Sequence, residues 1–163
     1  MDKAILEEAR RLAGEYTPLK RDCGRYCQHA CCQTDEDGQG GVFLFPGEAE
    51  GYERCGWARV ETGDMAGEKT PMLVCEGTCP REERPLGCRI FPLTAETDGE
   101  TMDVRLDIRA RPLCPLVKSG VKGLDRRFVE NVKRALRLMA QDPEGLAFLK
   151  KWEDMEKEYD FRL

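Results

Sequence analysis

Residues 23–32, CGRYCQHACC, place four cysteines within ten positions. Such a stretch must form disulfides, bind metal, react, or be buried. The opening segment MDKAILEEARRLAGEY carries acidic residues at once and has no apolar h-region, so it does not read as a secretory leader. The longest purely apolar run, Val42 to Phe45, is far too short to cross a bilayer. The sequence therefore predicts a soluble, cytoplasmic chain without a membrane partner. Thiols stay reduced in that compartment, where a dense cysteine pattern points to metal binding or catalysis before a disulfide framework. The cysteine count, nine, is also odd.

The remainder of the chain has limited means of holding itself together. At 163 residues it has room for one domain, read here as residues 1–163, and 35% of it is charged. Its mean hydropathy is -0.58, which implies a modest core. A net charge of -5 argues against general nucleic-acid binding. Basic residues gather between Lys118 and Arg137, and acidic ones between Asp142 and Asp160. This predicts a C-terminal helical hairpin over about 124–160 with complementary solvated faces. A protein partner docking on those helices is the other reading.

Hydrophobic periodicity predicts a helix over 2–15 ended by Pro18, and two further helices through LDRRFVENVKRALRLMAQ and from Pro143 to about Tyr159. VFLF reads as a short buried strand, and PGEAEGYERC as a short helix begun by Pro46. WARVE and PMLVC read as strands flanking the turn-rich TGDMAGEKT. RIFPLTAE and MDVRLDI read as strands flanking the turn TDGE. The expected fold class is α+β: a small irregular cysteine-rich domain with short antiparallel strands and terminal helices.

Cys23, Cys27 and Cys31 are spaced by four, so a helix would align them on one face, and a loop wrapped around a metal would serve equally. Several thiolates from a constrained stretch suit either a closed four-coordinate zinc site or an iron–sulfur cluster. The neighbours Cys31 and Cys32 diverge in most backbone conformations. They point to two adjacent sites or one polynuclear site, unless one of them is a buried apolar side chain or the two form a vicinal disulfide. Cys75, Cys79, Cys88 and Cys114 bring the candidate metal ligands to eight, the number that two Cys₄ sites consume. Cys55 lacks a neighbouring thiol and reads as a core residue. His29, the only histidine, is an alternative ligand in a Cys₃His site. Lys20, Arg21, Arg25, Arg81, Arg84, Arg89, Arg109 and Arg111 crowd the cysteines, where cations would ease thiol ionisation or simply solvate loops.

CGRYCQHACC, VFLFPGEAE, CPREERPLGCRIFPL and the later LCPL together resemble the YkgJ-type cysteine-cluster family of zinc- or iron-chelating proteins, over about residues 23–116. The flagellin lysine-N-methylases carry a similar cluster. The resemblance implies that Cys23, Cys27, Cys31, Cys32, Cys79, Cys88 and Cys114 are metal ligands, and spacing adds Cys75. The first cysteines are separated by three residues here where the family more usually has two, and Glu82 or Glu83 stands where an aromatic is common. The expected function is a metal-binding module, about residues 20–117, using zinc or alternatively iron. A second possibility is an iron–sulfur protein or the subunit of a methylase-like enzyme. The chain has no CxxxCxxC radical-type loop and no GxGxxG, so activity by itself is not expected. Thiol redox chemistry is a third reading, without a C-x-x-C beside a βαβ unit to support it.

Overall fold

The computed structural model describes residues 1–33, 41–76, 79–97 and 102–160. It is an α+β fold with short antiparallel sheets between terminal helices. Helix α1 spans Lys3–Glu15, and the Asp2 carboxylate caps it by accepting from the Ala4 N–H at 2.8 Å. Its apolar positions Leu6, Ala9, Leu12 and Ala13 form one buried face. After a single helical turn at Gly24–Cys27 (α2), the chain reaches the short strand β1, Val42–Phe43. Strands β2, Ala58–Met65, and β3, Glu68–Cys75, follow, giving a three-stranded sheet in the order β1-β3-β2.

The sequence reading left a long loop between β2 and β3, whereas the strands run on until only Ala66 and Gly67 remain. Met65 pairs with Glu68. Both linking residues have positive φ, 51° and 80°, as the primed turns matched to strand twist require. The Asp64 carboxylate accepts from the Gly67 N–H at 2.9 Å and fixes the turn. PGEAEGYERC likewise forms one 3₁₀ turn, Ala49–Gly51, in place of the expected short helix.

Arg89 and Ile90, read as strand residues, instead end a five-residue helix, α3, Leu86–Ile90. The deciding contact comes from a distant part of the chain. Glu48 is buried, and its carboxylate accepts from the Leu86 N–H at 2.9 Å and from the Phe45 N–H at 3.0 Å. It thereby caps the helix and ties it to the segment after β1. Burial raises the Glu48 pKa, against the pull of those two N–H groups and of Arg10. The hairpin strands β4, Leu93–Thr97, and β5, Met102–Leu106, come next. The turn TDGE between them falls largely outside the described residues.

Helices α4, Arg126–Met139, and α5, Pro143–Asp160, complete the chain. Phe128, Val132, Ala135, Leu136 and Met139 bury one face of α4, which packs chiefly on α1 and β5. Buried Asn131 ties that contact by donating to the Leu12 carbonyl at 3.1 Å. Helix α5 rests mainly on β4 and on the 3₁₀ turn Ile108–Ala110. The basic helix and the acidic tail thus find partners in the strands and their flanking turn: Lys133 pairs with Asp103 at 2.9 Å, and Glu156 lies between Arg105 and Arg109. Phe45, Phe148 and Trp152 form an aromatic cluster, with Phe45 stacked on Trp152, where β1, α3 and α5 converge. No helix among the described residues is long and apolar enough to cross a membrane.

Candidate functional site

The cysteine-rich segment is built around an abrupt change of direction. Cys23 stands at the N-cap of α2, and its neighbour Gly24 donates to the Asp22 carboxylate at 3.1 Å. The helix that would have aligned Cys23, Cys27 and Cys31 stops after Cys27. Gln28 and His29 adopt left-handed conformations, with φ of 53° and 58°. A 3₁₀ turn, Ala30–Cys32, follows. Gly24 makes the reversal possible, because a Cβ there would lie 2.2 Å from the His29 ring. His29 therefore packs on Gly24 and lines neither of the cavities described next.

The eight candidate thiols border two adjoining cavities. Cys23, Cys27, Cys31, Cys88 and Cys114 line one of about 60 Å³. Cys31, Cys32, Cys75, Cys79 and Cys88 line the other, of about 150 Å³. Cys31, Cys88 and Arg84 belong to both walls. Cys75 is placed by the last pair of the β2–β3 ladder and Cys88 by α3. Cys114 is held as its N–H donates to the Ala110 carbonyl at 2.8 Å. All nine cysteines are free thiols. The Cys31 and Cys32 sulfurs lie 4.0 Å apart, well beyond a disulfide bond. Among the described residues, no three His, Cys, Asp or Glu side chains are arranged to hold one metal ion.

Electrostatics divide these thiols. Burial pushes Cys23, Cys88 and Cys114 up and takes Cys75 to about 11. Thiols close to one another add to the effect. The hydrogen bond between the Cys31 and Cys32 thiols raises Cys31 and lowers Cys32 to about 6, with Arg84 and His29 also favouring the Cys32 thiolate. Burial works against the charge on Arg84, yet its hydrogen bond to Cys79 and the nearby Cys32 and Cys88 sulfurs hold its pKa above the usual value. From the cations crowding the cysteines in sequence, the fold thus selects Arg84 as the one set between the two groups of thiols.

Cys55 lines neither cavity, although it lies near enough to Cys75 to help raise that thiol. It packs beside Leu44, Tyr52 and Leu73, and its thiol donates to the Ala58 carbonyl at 3.3 Å. Trp152 is one of the wall residues that sequence reading did not single out. Its helical spacing marked it as one apolar position of α5 among several, and only the tertiary packing brings it to the larger cavity. Comparison of the chain with protein-family models, with curated proteins and with solved structures found no match.

Proposed function

We propose that this chain is a metal-binding module of the cytoplasm, holding zinc through cysteine thiolates. The observation that carries this reading is the gathering of eight thiols, from four stretches of chain, around two cavities that meet at Arg84. The donor chemistry fits a soft metal: thiols are abundant, and a guanidinium stands ready to offset the charge of thiolate ligands. Spacing fits less closely, since the sulfurs must draw together before any three can share one ion. Cys23, Cys27, Cys31 and Cys114 would serve the smaller cavity, and Cys32, Cys75, Cys79 and Cys88 the larger. A zinc ion held by four thiolates contributes folding free energy and leaves no open position for a reaction.

Sharing of Cys31 and Cys88 by both walls favours a second reading, an iron–sulfur cluster spanning the two cavities. The resemblance to the YkgJ-type proteins is compatible with either metal. Anaerobic purification followed by elemental analysis and absorption spectroscopy separates them. A colourless protein with about one to two zinc ions per chain, the capacity of one or two Cys₄ sites, is the expected result. Bound iron with broad visible absorption transfers the assignment to the cluster, and the absence of stoichiometric metal overturns both. Chelation should also lower the melting temperature. A ligand at a thousandfold excess over its Kd stabilises by about 4 kcal/mol, roughly 10 °C for a domain of this size.

A further inference from the structure

Cys31 stands out from the other cysteines in two respects. It is the exposed one, the others being partly buried, and it borders both cavities. Its sulfur also lies 4.0 Å from that of Cys32, in hydrogen-bond contact. The local chain path produces this approach. Left-handed backbone at Gln28 and His29 ends α2 and starts the 3₁₀ turn that carries both cysteines. Just past the turn, the Gln33 side-chain amide donates to the Gln28 carbonyl at 2.9 Å and draws the ends of the segment together. Closing the pair to a disulfide needs the sulfurs to move by about 2 Å, which is within reach of side-chain rotation. Neighbouring Cα atoms stand closer than the usual disulfide spacing. A bond between adjacent cysteines is therefore strained and easily reopened.

We propose that Cys31 and Cys32 form a thiol–disulfide exchange site for low-molecular-weight disulfides such as glutathione disulfide, reached at the exposed side of Cys31. One thiolate of the pair displaces a glutathione thiolate and forms a mixed disulfide. The neighbouring thiolate then displaces the second glutathione and closes the bond between Cys31 and Cys32. Two thiolates thereby become one disulfide, while glutathione disulfide takes up two electrons and two protons to become two glutathione molecules. Because the product is strained, the pair closes only where the small disulfide is in excess, and glutathione reopens it. The consequence for metal rests on the zinc assignment above. Cys31 serves the smaller cavity in that assignment and Cys32 the larger, so this one bond withdraws a ligand from each group of four thiolates. A disulfide formed inside either group would leave the other group whole. One two-electron oxidation at this turn therefore empties both.

The test incubates the protein as purified with glutathione disulfide at rising ratios to glutathione. Released zinc is read with a chromophoric chelator. Remaining thiols are blocked with N-ethylmaleimide, and tryptic peptides are mapped by mass spectrometry without reduction. The first disulfide should appear in the peptide that carries Cys27, Cys31 and Cys32, with the blocking label on Cys27 alone. Bound zinc should fall in step with that product and be lost completely at one disulfide per chain. Excess glutathione with added zinc should restore the starting state. A first disulfide between any other cysteines overturns the proposal, as does a glutathione adduct that persists on the pair without ring closure. Closure with all zinc retained takes both sulfurs out of the ligand set and overturns the coupling of the two groups. A purified chain without zinc overturns the zinc assignment by itself, and the peptide map then decides alone whether this pair is the exchange site.

Discussion

Cys31 and Cys32 occupy successive positions of one 3₁₀ turn, yet Cys31 reaches both cavities and Cys32 only the larger. The expected divergence of adjacent side chains is not what the structure shows: the two sulfurs lie 4.0 Å apart on the larger cavity, and Cys31 alone also borders the smaller one. Cys31→Ser and Cys32→Ser should therefore each lower the metal bound per chain by elemental analysis. A silent substitution would remove that sulfur from the ligand set. Cys55→Ala is the control. It should cost about 1 kcal/mol in a denaturant titration, as an ordinary partly buried substitution does, with metal content unchanged. The sequence exposed the candidate thiols plainly because cysteine has few other uses at such density. It could not single out Arg84 from its neighbours, because its bond to Cys79 is a tertiary contact that no spacing announces.

Among the elements, α3 is closely packed on two sides. A Cβ on Gly87 would lie 2.4 Å from Val42 Cγ2 and 3.0 Å from the Trp152 ring, so the helix presses directly against β1 and α5. Gly87→Ala gains helix propensity but must push the helix away, and overpacking of this kind costs about 1–3 kcal/mol. The variant should unfold at lower denaturant and, because Cys88 is the next residue, should bind metal more weakly. Unchanged stability would show that Val42 and Trp152 yield easily. Helices α1, α4 and α5 were legible because their apolar residues repeat over three or more turns. Helix α3 was not, since five residues show no period and its cap, Glu48, lies 38 positions earlier. The β2–β3 hairpin was half legible: its strands were found, but Ala66–Gly67 is a weaker turn signal than the glycines and acidic residues around it.

At the scale of the whole molecule, Glu156 joins α5 to the β4–β5 region. Burial and the Asp107 carboxylate raise its pKa from 4.5 to about 7, against the opposing pull of Arg105 and Arg109. The folded protein therefore keeps this proton in a range where the unfolded chain has lost it. The contribution of Glu156 to stability should be greatest below about 4.5, fall as pH rises to about 7, and then level off, a change on the order of a few kcal/mol. Glu156→Gln should flatten that part of the pH profile in urea unfolding, leaving the contribution in the same direction from Glu48. A profile identical to that of the parent protein would mean that Glu156 is ionised throughout. Distance along the chain has a further consequence. Cys23 and Cys114 stand 91 positions apart in sequence and face the same small cavity. Closing so long a loop has an entropic cost that only the surrounding packing can offset. During synthesis, the first cysteines leave the ribosome well before their last partner exists. The growing chain must therefore carry unprotected thiols for most of its translation, and capture of an ion would mark the moment at which the tertiary structure closes.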